Sequence, residues 1–279
     1  MKLNSITAGK LLLACLSLLL IASCQENEDP EMNEVGEMIV KFDNQVGNLP
    51  MQLQAEGSDT YPYTNANGQP FNITRFGYYI SHVRLEGPNG ELFIDEMNAS
   101  ADANEVKGYY QVVQGDPDSY AVHLHSIPAG QYDRIHFTLG IKEDGIQEGA
   151  VGGLLDRAAG AWFWNWNSGY INLLFEGHSP VSPQEQNALR IHLGGWKNIP
   201  AEGEQPQRFF DNNVQISLPF DAAVTVSESL RPSPHIHMDV LKWLESVNFE
   251  SVNNVHSPAA GQALTPTLAA AFYVDHTHQ

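Results

Sequence analysis

From Met38 to Val226, apolar and polar residues alternate in short runs, and Gly, Pro, Asn or Asp punctuates them. Period two is the side-chain period of an extended strand, so each run can bury one face and wet the other. Met38–Phe42, Tyr120–Leu124, Tyr132–Ile141, Tyr170–Phe175, Ala188–Leu193, Val214–Phe220 and Ala222–Val226 read as strands. Phe71–Leu85 reads as one long strand or two joined at Gly77, and Ile127-Pro128-Ala129-Gly130 as a turn. Short helices are expected at Val240–Ser246 and at Thr267–Tyr273, where Pro266 suits a helix start. Gly149–Ala161 reads as an irregular crossover with a helical turn. Many short strands spaced by turns predict a mainly β fold, an antiparallel β-sandwich with a few short helices. No long linker or clear repeat divides residues 37–279, which read as one domain.

The start of the chain is of another kind. Lys2 and Lys10 precede the apolar run Leu11–Ala22, too short and too near the terminus for an ordinary spanning helix. The run ends in Ile21-Ala22-Ser23-Cys24, which resembles a bacterial lipobox, with small residues for the signal peptidase and a thiol that accepts diacylglycerol. Residues 1–23 therefore read as a lipoprotein signal peptide, Cys24 as the lipidated residue and 24–36 as an acidic tether. The polar run Gln25-Glu26-Asn27-Glu28-Asp29-Pro30-Glu31 cannot build a core. It suits a solvated spacer and equally resembles the export signal of bacterial surface lipoproteins. The expected location is the cell envelope, lipid-anchored at the outer membrane.

Cleavage before Cys24 also removes Cys15, the other of two cysteines. One mature chain then has neither a disulfide nor a thiolate zinc site. The full chain carries 14 basic and 33 acidic residues, a charge of -19; losing Lys2 and Lys10 takes it to -21. Such a surface repels phosphate backbones, which excludes nucleic acid as a partner, and it tolerates cations.

Eleven histidines call for a reason, and six of them fall in three His-x-His pairs: His123/His125, His235/His237 and His276/His278. On a strand, residues i and i+2 share a face, so a pair can offer two imidazoles to one ion or simply be solvated. Val122 and Leu124, and likewise Ile236 and Met238, alternate with their histidines and would face the core. Three pairs together point to at least one metal site, to which His276/His278 at the chain end contributes least. Imidazole without thiolate in an oxidising compartment suits copper. Asp116-Pro117-Asp118 opens like a calcium loop but lacks the glycine and glutamate that should follow. Trp162-Phe163-Trp164-Asn165-Trp166 places three indoles on alternate positions, as a core stripe or a sugar-stacking platform would. No Gly-x-Ser-x-Gly, phosphate-cradling loop or His-Glu-x-x-His occurs, so nothing points to an enzyme.

Five stretches, in order, resemble the MbnP family of copper-binding envelope proteins. They are Phe71-Asn72-Ile73-Thr74 with Tyr78-Tyr79-Ile80-Ser81, then Ile127-Pro128-Ala129-Gly130-Gln131-Tyr132 leading to Phe137 and Leu139-Gly140. Trp164-Asn165-Trp166-Asn167-Ser168-Gly169-Tyr170 with Glu176-Gly177 follows, then His192-Leu193-Gly194-Gly195 and Asp239-Val240. The resemblance implies a β-rich protein for copper acquisition or buffering. It also implies a tryptophan oxidised to kynurenine by a dihaem, peroxidase-like partner, because an aniline nitrogen can donate to copper where an indole cannot. Trp164 and Trp166 both match the motif position. His192 matches a motif position and is a candidate for a metal ligand or equally for a structural residue, and His82, His123 and His125 join it as ligand candidates by strand parity. Copper binding then predicts at least three histidines converging beside Trp164 or Trp166. The rival reading, a surface lipoprotein binding glycan or protein through its tryptophans, predicts an exposed planar aromatic row.

Overall fold

The structure, a computed structural model, describes residues 34–99, 106–142, 153–165, 168–196 and 210–279. The signal peptide, Cys24 and most of the acidic tether lie outside these residues, as does Trp166. Among the described residues no helix is long and apolar enough to cross a membrane.

Among the described residues, fifteen strands carry the fold. In chain order they are β1 (Val35–Val46), β2 (Leu49–Pro50), β3 (Tyr63–Thr64), β4 (Pro70–Glu86) and β5 (Leu92–Ile94). Next come β6 (Tyr109–Val113), β7 (Ala121–Pro128), β8 (Gly130–Leu139), β9 (Phe163–Asn165) and β10 (Gly169–His178). Last are β11 (Ala188–Gly194), β12 (Val214–Val226), β13 (Ser233–Asp239), β14 (Asn254–Val255) and β15 (Phe272–His278). Strand β1 shows the period-two logic directly. Met38, Val40 and Phe42 are buried while Lys41 between them is exposed.

The strands form two sheets. One runs β15-β13-β1-β2, with β7 also on β1; the other runs β12-β8-β4-β10-β11-β14, with β3, β5 and β6 on β4 and β9 on β10. Their inner faces share one core, in which Phe42 of the smaller sheet meets Phe137 and Tyr78 of the larger edge-on. The fold is thus mainly β, a sandwich, as the alternation predicts.

Two details of the strands differ from the sequence reading, and a third settles an alternative it left open. The sheets are mixed, because β13 pairs with β1, and β14 with β11, in parallel. Tight hairpins enforce antiparallel pairing, but a strand arriving by a longer connection is free of that rule, and period two is the same for both directions. Val214–Phe220 and Ala222–Val226 are one strand, whose register on β8 shifts between Pro219 and Val224. Phe71–Leu85 is also one strand, β4, running through Gly77. The two expected helices are shorter than read, Val240–Trp243, capped by the Asp239 carboxylate, and Leu268–Ala271, because Phe272 and Tyr273 already belong to β15; a further helix spans Pro258–Gly261.

Strands β4 and β10 are buried on both faces. Leu173 and Phe175 face the main core, while a second apolar cluster of Tyr79, Tyr109, Ile141, Leu155, Tyr170 and Trp196 covers the outer side. Trp162 and Phe163 pack against that second cluster, so the tryptophan segment is fixed to the outer face of the larger sheet.

Candidate functional site

At the motif Trp164-Asn165-Trp166-Asn167-Ser168-Gly169-Tyr170, β9 and β10 pair antiparallel, with Gly169 opposite Asn165. Asn165, Ser168 and Gly169 hold the ends of the two strands together. The Ser168 amide donates to Asn165 Oδ1 at 2.9 Å, and Gly169 takes a positive φ of 76°, which suits glycine. Upstream, the Trp162 amide donates to Tyr79 Oη at 3.0 Å, and the two rings meet edge-on with centroids 5.8 Å apart.

Two glycines admit the indoles. A Cβ at Gly77 would lie 2.6 Å from the Trp162 ring, and one at Gly194 would lie 3.1 Å from the Trp164 ring. Strand register sets Gly77, Leu174 and His192 side by side across β4, β10 and β11. His192 and Gly194, two apart on β11, share a face. Trp164 and His192 therefore occupy the same side of the larger sheet.

His192 is buried, with Nε2 2.7 Å from Glu176 Oε1. Glu176 also accepts from Arg75 Nη1 at 3.0 Å. The His192 hydrogen bond holds the Glu176 carboxyl below its ordinary range against partial burial, with Arg75 adding to the effect. The His256 ring stands 4.4 Å from that of His192, at 86°. Desolvation, then the neighbouring His192, pushes the His256 imidazole down from its ordinary value, which favours the neutral, metal-binding form. A carboxylate on one imidazole nitrogen fixes the tautomer and leaves the other nitrogen as the donor. His256 escapes sequence reasoning because it belongs to no pair; only the two-residue β14, parallel to β11, brings it beside His192.

The other candidates lie elsewhere. His82 sits at a bulge of β4 with φ of 54°, and its Nδ1 is 2.9 Å from Ser81 Oγ, which donates to the Gly140 carbonyl at 2.7 Å. It faces a cleft shared with Arg84, Lys142 and His136, where two cations oppose a metal ion. His123 and His125 are exposed on β7 of the smaller sheet, their rings parallel at 6.3 Å, and His125 contacts Glu37 at 2.9 Å. Among the described residues, His82, His123, His125 and His192 do not converge beside Trp164. Strand parity is right for β7, yet parity cannot say to which sheet a strand belongs. The one group of three close ligands among the described residues is His235, His276 and His278, on β13 and β15.

The MbnP family profile matches residues 35–257. The chain belongs to the MbnP family. Among solved structures it is similar to MbnP from Methylosinus trichosporium, at 15% identity and a TM-score of 0.52, over 79% of this chain and 83% of that one. That likeness is one of fold. No curated protein sequence matches. The MbnP match takes in Trp164, Glu176, His192 and His256 and ends before β15, so His276 and His278 lie beyond it.

Proposed function

We propose that this MbnP-family chain is a lipid-anchored copper-binding protein of the cell envelope, serving copper acquisition or buffering rather than turnover. The observation that carries the reading is the placement of the Trp164 indole on the same sheet face as His192, whose imidazole is oriented by Glu176. His192 and His256 supply imidazole nitrogen, a donor that suits copper. Copper is the cargo. Oxidation of Trp164 or Trp166 to kynurenine, with peroxide as the oxidant and a dihaem peroxidase-like partner as catalyst, would cleave the indole C2–C3 bond with oxygen added to both carbons, release C2 as formate on hydrolysis and leave an aniline nitrogen beside these imidazoles. The lipid anchor at Cys24 and an outer-membrane location belong to the same proposal and rest on the lipobox. The glycan-binding alternative is less well supported, since Trp162 packs edge-on against Tyr79 and Trp196 is buried.

Native intact-mass analysis of the protein purified from its own host, followed by copper titration, tests the reading. One copper held per chain, with a mass change mapping to Trp164 or Trp166, is expected, and His192→Ala should lose that copper. Unmodified tryptophans with no copper retained would overturn it. Copper retained without the mass change would keep the imidazole site and remove the kynurenine.

A further inference from the structure

The outward face of the smaller sheet carries a built cluster of imidazoles. In β13, Pro234, Ile236 and Met238 are buried, so His235 and His237 point outward. In β15, His276 lies opposite His235 in register, and the two rings stack 4.4 Å apart at 18°. His278 follows two residues on, with its ring 5.3 Å from that of His235 and 4.8 Å from that of His276. One ligand atom from each of the three lies within 4.8 Å of the other two.

Carboxylates orient the rings. Asp43 Oδ2 of β1 sits 2.9 Å from His235 Nδ1, and Asp275 Oδ2 sits 2.6 Å from His276 Nδ1. Each places the proton on Nδ1 and turns the Nε2 lone pair inward, the arrangement that supports a metal-ligating histidine from behind. His276 Nε2 and His278 Nε2 meet at 3.2 Å. His235 Nε2 is buried and has no hydrogen-bond partner, a costly state for a lone pair. Tetrahedral Zn–N bonds of about 2.0–2.1 Å set ligand nitrogens about 3.3 Å apart. The His276–His278 spacing already matches that value. Behind the cluster, His237 Nε2 stands 4.0 Å from Asp43 and 3.9 Å from Asp275, so two carboxylates offset the charge of a cation there.

We propose that His235, His276 and His278 form a second metal centre, which binds a divalent ion of the zinc, copper and nickel class. Three imidazoles hold the ion, and the exposed side of His278 leaves the fourth position to solvent. The donor set is all nitrogen, which selects this class over calcium or magnesium. Two of its three ligands lie beyond the MbnP match, and it stands on the other sheet from Trp164 and His192. It is therefore independent of the copper reading above. Its occupancy would also tie the C-terminal strand β15 to β13.

The test uses chelator-stripped protein and Zn²⁺ or the spectroscopic probe Co²⁺ alone. One equivalent is expected to survive desalting, with the intense visible absorption of four-coordinate cobalt, and to persist in the Trp164→Phe/His192→Ala variant. His276→Gln/His278→Gln should lose it, and Asp275→Asn should weaken it by about 10–100-fold. Both altered histidines lie on the exposed end of an edge strand; should the double variant fail to fold by circular dichroism, exposed His278→Gln alone makes the same comparison. No retained metal in the parent protein, or equal retention after the histidines are replaced, would overturn the proposal. Loss of binding only in Trp164→Phe/His192→Ala would also overturn it, placing the ion at the Trp164 face instead. Zinc held here by a protein that fails the copper and mass tests would sink the copper reading and leave this centre standing.

Discussion

Asp95 shows how one carboxyl group responds to its place in the fold. Desolvation raises its pKa above the ordinary value, although Tyr110 Oη donates to it at 2.7 Å. A raised carboxyl pKa means that the folded state holds the proton more tightly than the unfolded chain does. The ionised group therefore costs stability at neutral pH, and that cost fades as pH falls through the folded value. Asp95→Asn keeps an oxygen for Tyr110 and carries no charge. Its Tm should exceed the parent's at pH 7, and the gap should close by about pH 3, below the ordinary carboxylate value. Thermal unfolding across that range checks it, and a gap independent of pH would show that burial of the charge is not the cause. The burial behind this effect is not visible in the local Leu-Phe-Ile-Asp-Glu sequence. By contrast, motif spacing marks Trp164 and His192 as candidates in the sequence, while His256 has no local signal at all.

At the scale of elements, the glycines at Gly77 and Gly194 let the Trp162 and Trp164 rings come close to β4 and β11. A Cβ at Gly194 would fall 2.3 Å from the Tyr170 carbonyl oxygen as well as against the Trp164 ring. Backbone cannot yield as a flexible side chain can, so Gly194→Ala should displace β9 or spread β10 from β11. The expected cost is about 1–3 kcal/mol, as for other overpacked sites. Denaturant unfolding measures that cost, and copper retention should fall with it. Normal stability with normal copper would show that Trp164 need not lie over Gly194. Strand β15 teaches a different lesson. From sequence, His276/His278 contributed least to the metal argument because it ends the chain. In the fold those residues pair with β13, and register rather than proximity in sequence sets them beside His235.

Across the whole molecule, stability rests on the contact between the two sheets. Phe137 of β8 is 1% exposed and meets Phe42 of β1 and Phe272 of β15, each at 5.7 Å between ring centroids. Phe137→Ala should cost about 3–5 kcal/mol through lost burial and the cavity left behind. That is a large part of the roughly 5–15 kcal/mol of a typical domain, so the urea midpoint should drop sharply with little change in slope. A loss below about 1 kcal/mol would place the sheet-to-sheet contact elsewhere.

The alternation of apolar and polar residues was enough to determine the β class, the approximate positions of β1, β4, β7, β8, β10, β11 and β12, and the inward faces of β1 and β7; it marked neither β6 nor β15. Side-chain period is a local property of extended backbone, readable from a few residues. Motif spacing likewise marked Trp164 and His192. The tertiary structure alone decided which sheet each strand joins, the parallel pairing of β1 with β13, and the meeting of His192 with His256. It also separated His123 and His125 from His192 and gathered His235, His276 and His278 into one cluster. Those outcomes depend on strand order and register between segments distant along the chain, and a period of two is blind to both.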